Sequence, residues 1–284
     1  MKPFIIMRSY NDIDVIEHTL EALFKQNMPF ELLVLDNESN DGTREIVDKY
    51  TDNVINIPRG EYIPGKVLNE GMRSSTGEIV VFLNSDCEPE SDDWLKNLVN
   101  GFDCHNTAAV FGSQLPRSDC HPIHAKDILD TFGQGLKQSS WNHCFSMAAS
   151  AIRRSVWNVH NFSDELKYSE DIDWTWKIKT MGYKIKYVPE AKVYHSHNYT
   201  LQQCYKRQYG EGRAEADIFS WSRWQRSFPR YVILPYCKRI IKDCFYLLST
   251  FNYRYLTMSP LIRGAQLYGR WSGFRNGIKE VSRC

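Results

Sequence analysis

No stretch of this sequence approaches the roughly 18 consecutive apolar residues that a bilayer-spanning helix needs, so no transmembrane helix is expected. Its eight cysteines (Cys87, Cys104, Cys120, Cys144, Cys204, Cys237, Cys244 and Cys284) include no C-x-x-C pair. That scatter fits neither a zinc site nor a disulfide framework. There is no internal repeat and no low-complexity segment. No apolar leader precedes Phe4, and unpaired thiols suit a reducing compartment, so a cytoplasmic protein is expected. Glycine is missing from Arg8-Ser9-Tyr10-Asn11-Asp12, behind the first strand-like run. A Gly-rich loop that cradles phosphates there is the usual mark of a nucleotidyltransferase. A strong overall charge is missing too: the formal net charge of the 284 residues is +1.

The distribution of charge says more than its sum. Residues 1–202 carry a net −9 and residues 203–284 a net +10. An acidic body with a basic tail suggests two jobs, the first compatible with holding a metal and the second with meeting an anionic partner. In the tail, Arg230, Lys238, Arg239, Lys242, Arg254, Arg263, Arg270 and Arg275 interleave with tyrosine, phenylalanine and tryptophan. Two readings stand: a surface for anionic membrane, or a helical subdomain with a solvated basic face. No recognised nucleic-acid module accompanies the charge, so no nucleic-acid partner is expected.

Short apolar runs alternate with helical patterns through the first hundred residues. Phe4–Met7, Leu32–Leu35, Val54–Ile57 and Ile79–Leu83 read as strands. Ile16, Leu20, Leu23 and Phe24 mark a helix behind Asn11 or Asp12; others start near Thr43 and span Lys66–Ser74. Ser91 caps a further helix whose buried stripe is Trp94, Leu95, Leu98, Val99 and Phe102. This alternation implies a mostly parallel sheet flanked by helices. Residues 108–150 give no clear pattern. Ser169-Glu170-Asp171 opens a helix with Ile172, Trp176, Ile178 and Met181 as its apolar positions, closed by Gly182. Tyr183–Val188 alternates as a strand up to Pro189, and the chain beyond Tyr199 reads as helical.

In such sheets ligands lie beyond the carboxyl ends of the strands, which singles out four places. Asp36-Asn37-Glu38 follows the second strand and reads as a base or ribose contact, or as an Asx-turn. Asn84-Ser85-Asp86 follows the most hydrophobic strand, and its aspartate reads as an oxygen ligand for Mg²⁺ or Mn²⁺, or as a turn acid. Glu170-Asp171 stands at a helix N-terminus, where the dipole favours an ionised carboxylate fit for a general base, or merely caps the helix. His195-Ser196-His197 offers imidazoles for a metal or a phosphate, or two surface histidines.

Taken in order, these segments resemble the family-two glycosyltransferases of GT-A fold. Asp36–Thr43 is similar to that family's nucleotide-binding segment, Val81–Asp86 takes the place of its D-x-D motif, and Ser169-Glu170-Asp171 resembles its E-D motif. Gly112–Arg117, Ser150–Trp157 and Ala191–His197 bring the resemblance closest to the bacterial rhamnosyltransferase-like branch. It covers about residues 3–215. It implies a GT-A domain over 1–215, with a nucleotide-sugar half (about 1–105), an acceptor half (about 106–215) and a helical extension at 216–284. It further implies an inverting transferase moving a sugar, with rhamnose a first guess, from a dTDP- or UDP-sugar to a glycan or lipid-linked oligosaccharide. The implied donor contacts are Tyr10, Asp36, Asn37, Asn69, Asn84, Ser85 and Asp86. The implied acceptor contacts are Arg153, Arg154 and Trp174. Asp171 is the implied base with Glu170 beside it, and Asp86, His195 and His197 the ligands of a divalent cation. Two departures stand out: Asn84 replaces the first aspartate of the D-x-D, and Met147-Ala148 replaces small polar residues. The first prompts a rival reading as a silent nucleotide-sugar-binding protein. The second rival is the nucleotidyltransferase disfavoured above.

Overall fold

A computed structural model describes residues 2–133, 145–219 and 227–281. The chain divides into two compact units. The first comprises residues 1–117, 128–166 and 170–196, and the second residues 118–127, 167–169 and 197–284. The division falls at Ser196, ahead of the boundary at residue 215 that the resemblance implies.

The first unit is built on an eight-stranded sheet of order β3-β2-β1-β4-β7-β6-β8-β5. Strands β1 (Phe4–Ser9), β2 (Glu31–Asp36), β3 (Val54–Asn56) and β4 (Ile79–Asn84) run parallel. Their continuous apolar runs follow from burial on both faces. Phe4, Ile6, Leu33, Val80 and Phe82 face α3 (Pro64–Ser74), α6 (Arg154–Val159) and α7 (Glu170–Thr180). The alternate residues Ile5, Met7, Val34, Val81 and Leu83 face α1 (Ile16–Phe24), α2 (Thr43–Val47) and α4 (Trp94–Asn100). Two-residue alternation thus feeds a core on each side of the sheet.

Beyond β4 the sheet turns mixed. Strand β7 (Ala149–Arg153) is antiparallel to β4 and to β6 (Thr107–Leu115). It begins beside Leu83 and ends beside Ile79. Residues just before β7 therefore lie at the carboxyl edge of β4, and residues at its end lie at the opposite edge. Strand β8 (Lys184–Tyr194) pairs parallel with β6 and closes against the two-residue β5 (Glu88–Pro89). It does not stop at Pro189: the register slips between Gly112 and Ser113, absorbing Pro189–Ala191 as a bulge. A side chain at position 112 would collide with the Ala191 carbonyl, 2.0 Å from its Cβ position.

The second unit is helical, with most of α5 (Pro122–Ile128), α8 (Leu201–Ile218), α9 (Leu234–Ser249) and α10 (Met258–Val281). Thr200 caps α8 through a reciprocal capping box with Gln203. Helices α8 and α10 meet backbone to backbone: a Cβ on Gly273 would stand 2.0 Å from the Tyr209 carbonyl oxygen. This close seam keeps α8 with the C-terminal helices, although most of it falls within the 1–215 span that the resemblance assigns to the catalytic domain. Ile123, Leu247 and Ile262 form a small core, beside which the buried Asp243 carboxylate accepts from Arg263 (2.7 and 2.9 Å) and Ser259 (2.7 Å). Among the described residues, no helix is long and apolar enough to cross a membrane.

Candidate active site

The polar residues that follow β1, β2 and β4 gather at the carboxyl edge of the sheet, as parallel topology dictates. Arg8, next to the end of β1, ties Asn84 at the end of β4 to Glu170 at the start of α7. Its guanidinium donates to Asn84 Oδ1 from Nε and Nη2 (3.2 and 3.0 Å) and to Glu170 Oε1 from Nη1 (3.1 Å). Burial works against this cation, but Tyr62, Glu170 and Asp171 outweigh it and hold Arg8 above its ordinary value. Asp171 is tied to the same edge by a second route. Its Oδ2 accepts from the Met147 amide (3.3 Å), and one residue on, the Ala148 carbonyl accepts from the Asn84 amide (2.9 Å). Glu170, Asp171 and the Asn84-Ser85-Asp86 segment, more than eighty residues apart in sequence, thus meet through Arg8 and the start of β7. The Met147-Ala148 departure is immaterial to this link, because backbone groups make it.

Asp86 faces His195, with 3.4 Å between Oδ2 and Nε2. The far nitrogen, Nδ1, lies 2.8 Å from Gln114 Oε1, and Gln114 Nε2 donates to Ser146 Oγ (2.9 Å). An amide oxygen only accepts, so Nδ1 carries the proton and the Nε2 lone pair of a neutral ring points at a carboxylate. Only a proton or a cation between the two makes that arrangement attractive. A histidine fixed by a hydrogen bond at its other nitrogen is the usual presentation of a metal ligand. Asp86, Cys87 and His195 place one ligand atom each within 4.8 Å of one another. Burial pushes the Cys87 thiol well above its ordinary value, so it is a neutral S–H and a poor ligand for a hard cation. The oxygen and nitrogen donors, Asp86 and His195, fit Mg²⁺ or Mn²⁺ with most positions left to water and phosphate. The grouping does not include His197, whose ring belongs to the second unit and lies 5.1 Å from Tyr199.

Around this pair the loops are held in costly shapes. Asn11, behind β1, and Glu38, behind β2, take left-handed φ of 51° and 52°, uncommon for side-chain-bearing residues and concentrated at functional loops. Asn11 Oδ1 accepts from the Asn40 amide (2.9 Å), and the Glu38 carbonyl accepts from Arg59 (2.7 Å). Arg59 lies over the Tyr10 ring, 5.5 Å from its centroid, and that ring is exposed. Asp36 is buried and accepts from Ser39 Oγ (2.6 Å) and the Ser39 amide (3.0 Å). Two buried atoms at these strand ends, Ser9 Oγ and Asn37 Oδ1, have no partner among the described residues.

Several participants were not singled out in the sequence. Arg8 and Asp12 lie in the segment noted there only for its lack of glycine or as a helix cap. Ser85 Oγ donates to Asp12 Oδ2. Burial, helped by the charges of Asp86 and Asp41, pushes the Asp12 carboxyl above its ordinary value, against the Ser85 and Tyr10 hydrogen bonds. Arg117 donates to the Asp86 carbonyl from Nη2 and to the Ser196 carbonyl from Nη1 (3.4 Å), pinning the β4 and β8 ends together. A polar residue within two or three positions of each strand's carboxyl end is the signal that marks all of these.

Four expected contacts take other jobs. Trp174 is wholly buried in the core, with Nε1 donating to the His160 carbonyl (2.7 Å). Asn69 is on the buried face of α3, bonded to Trp157 Nε1 (2.9 Å), the Phe162 backbone and Asp164 (2.8 Å). Arg153 ends β7 and Arg154 follows it, at the sheet edge remote from Asn84. There Arg153 donates to the Thr107 carbonyl (2.9 Å), and Arg154 to the Gly77 and Met72 carbonyls (2.8 and 2.7 Å). These bonds hold neighbouring segments together, and Arg153 and Arg154 lie at the sheet edge away from the candidate site.

With the geometry in place, residues 4–159 match the sequence profile described as Glycosyl transferase family 2. The chain belongs to this family. The O-antigen chain rhamnosyltransferase WbaN of Salmonella anatum is 34% identical over 201 residues, 66% of this chain and 62% of that protein. The alignment thus spans less than two thirds of that relative's length. RfbN of Salmonella typhimurium strain LT2, also an O-antigen chain rhamnosyltransferase, is 30% identical over 229 residues, 75% of this chain and 72% of the relative. Among solved structures, the mannosyltransferase PcManGT from Pyrobaculum calidifontis, in complex with GDP-Man and Mn²⁺, gives a TM-score of 0.69 at 18% identity. That match covers 98% of this chain and 87% of the other. Staphylococcus aureus TarS 1-349 in complex with UDP-GlcNAc gives 0.55 at 20% identity, covering 100% and 92%. At these identities the likeness establishes a common GT-A fold. For a family 2 glycosyltransferase the polar edge of this sheet is the place where transfer chemistry is expected.

Proposed function

We propose that the protein is an inverting, metal-assisted glycosyltransferase. It moves a sugar from a nucleoside diphosphate to a hydroxyl of a bacterial surface glycan or lipid-linked oligosaccharide. The observation that carries this reading is the meeting of Asp171 with the Asn84-Ser85-Asp86 segment at one sheet edge, with Asp86 paired to a tautomer-fixed His195. The relatives named as O-antigen chain rhamnosyltransferases support dTDP-rhamnose as the first donor to try, with UDP-sugars next. A lipid-linked acceptor would be met at the inner face of the cell membrane.

In this reading Tyr10, Asp36 and Asn37 receive the base and ribose, with Tyr10 offering its exposed ring face and Ser9 Oγ and Asn37 Oδ1 their unanswered polar atoms. Asp86 and His195 hold the cation. A divalent cation there supplies neutralisation of the charge that grows on the departing diphosphate. Arg8 adds a fixed positive charge behind Asn84, where the family's motif carries a second carboxylate. Asp171 accepts the proton of the acceptor hydroxyl as it attacks the anomeric carbon; the bond to the diphosphate oxygen breaks on the opposite side. Glu170, locked to Arg8, holds the start of α7 so that Asp171 keeps its place. The decisive experiment incubates the protein with Mn²⁺, a panel of nucleotide sugars and an O-antigen acceptor fragment, reading product anomeric configuration by NMR. Metal-dependent transfer with inversion is expected. Nucleotide binding without transfer from any donor would favour the silent-protein reading.

A further inference from the structure

The second unit exposes an apolar surface that its own fold does not use. Helix α9 turns Asp243 and Leu247 inward, both wholly buried. The opposite face carries Leu234, Ile241, Phe245 and Leu248 at the spacing i, i+7, i+11, i+14. These are 66%, 58%, 72% and 49% exposed. Immediately beyond, Phe251 stands 79% exposed in a left-handed conformation, φ 57°. A bulky residue pays for that backbone shape and pays again for holding a phenyl ring in water, so the turn that presents it reads as built for contact. Lys238 and Lys242, both exposed, run along the same side of the helix, and Arg254 follows Phe251. Asp243 is the one acidic residue between Phe228 and Ile278, and its carboxylate is engaged by Arg263 and Ser259.

We infer that this face of α9, with the Phe251 turn, docks on an anionic lipid surface, lying in the interface without spanning it. An apolar stripe edged by lysines and free of exposed acid is the composition that partitions between headgroups and acyl chains, and the lysines answer anionic lipid. A second copy of the same face is disfavoured by charge: pairing would bring Lys238 and Lys242 against their own kind with no acid to meet them. The inference deepens the reading of a membrane-borne acceptor, and vesicle binding tests it apart from catalysis.

The test is co-sedimentation of the full chain with phosphatidylglycerol-containing vesicles and with pure phosphatidylcholine vesicles at low and high salt. Wild type should bind the anionic vesicles and lose binding as salt rises. The double variant Ile241→Glu/Phe245→Glu should bind at least tenfold more weakly. Lys238→Gln/Lys242→Gln should bind about 25-fold more weakly, from roughly fivefold for each lysine near the surface. All changed residues are exposed, so melting temperature and transfer to a water-soluble acceptor fragment should stay at wild-type levels. Absence of wild-type binding at low salt overturns the proposal. So does unchanged binding by Ile241→Glu/Phe245→Glu, or a concentration-dependent dimer that this variant abolishes while no vesicles bind. Vesicle binding without sugar transfer would defeat the functional reading alone, and transfer without vesicle binding would defeat this surface alone.

Discussion

Replacing Arg8 by Met should weaken the catalytic unit measurably, and the size of the effect follows from the Arg8–Glu170 contact. The pair is 3.1 Å apart, with side chains 16% and 10% exposed. Breaking a buried ion pair from one side costs about 3–5 kcal/mol because the surviving charge stays desolvated. Some solvent reaches both partners here, which places the cost near the lower end, about 3 kcal/mol. The Asn84 side-chain oxygen Oδ1 loses both Arg8 donors as well, which keeps the figure from falling further. For a unit of this size each kcal/mol moves Tm by roughly 2–4 °C, so a drop of about 6–12 °C is expected in a thermal melt. The double variant Arg8→Met/Glu170→Gln removes the stranded charge and should recover most of that loss. Arg8→Lys keeps the charge but not the fork, and should fall between. A single-variant loss under about 1 kcal/mol, or a double variant no more stable than Arg8→Met, would refute the claim that Arg8 holds Glu170 at the site.

Gln114→Ala removes the Gln114 hydrogen bond at His195 Nδ1, and by the usual weight of such partners should weaken Mn²⁺ binding about 10–100-fold, read by electron paramagnetic resonance titration; Cys87→Ser should leave it unchanged. Asp243 responds to acid. Burial opposes its charge, but the Arg263 and Ser259 hydrogen bonds more than reverse this and hold the carboxyl below its ordinary value of 3.8. Its contribution to the helical unit is therefore complete above that value and fades as pH falls through the lowered one. Asp243→Asn should unfold at lower urea than wild type at pH 7, with the gap narrowing below pH 3.8; a gap independent of pH would contradict this. Gly273→Val should destabilise the helical unit, because a Cβ meets the Tyr209 carbonyl at 2.0 Å; circular dichroism melts check it.

The parallel half of the sheet was legible because β1, β2 and β4 are unbroken apolar runs, and a strand buried on both faces has no other way to be written. Strands β6 and β7 were not. Thr107–Leu115 and Ala149–Arg153 are rich in small residues, which pack a crowded centre but carry little strand signal. Pro189 read as a strand end, whereas the bulge opposite Gly112 lets β8 run on to Tyr194 and so bring His195 to the site. Helix α7 was read only in part. Hydrophobicity pointed to Ile172, Trp176, Ile178 and Met181; Ile178 is buried, but the rest of the buried side is Glu170, Asp173, Trp174 and Thr175. Polar partners explain it: Asp173 pairs with Lys177 (2.8 Å), and Trp174 finds the His160 carbonyl. This buried side is why Trp174 serves the core. The carboxylates at strand ends and at the start of α7 could be read because topology alone places them. Arg8 and Gln114 also lie at strand ends, but their roles could not be read, because their partners, Glu170 and His195, are supplied only by tertiary pairing.

The proposal that Asp171 acts on an acceptor hydroxyl beside a cation held by Asp86 is tested most directly by single-turnover transfer by Asp171→Asn, measured alongside its nucleotide affinity. Transfer should fall by about 10²–10⁴, the usual worth of a positioned general base, while Mn²⁺-dependent nucleotide binding stays within about twofold of wild type. Transfer at the wild-type rate, or loss of nucleotide binding together with transfer, would contradict the assignment.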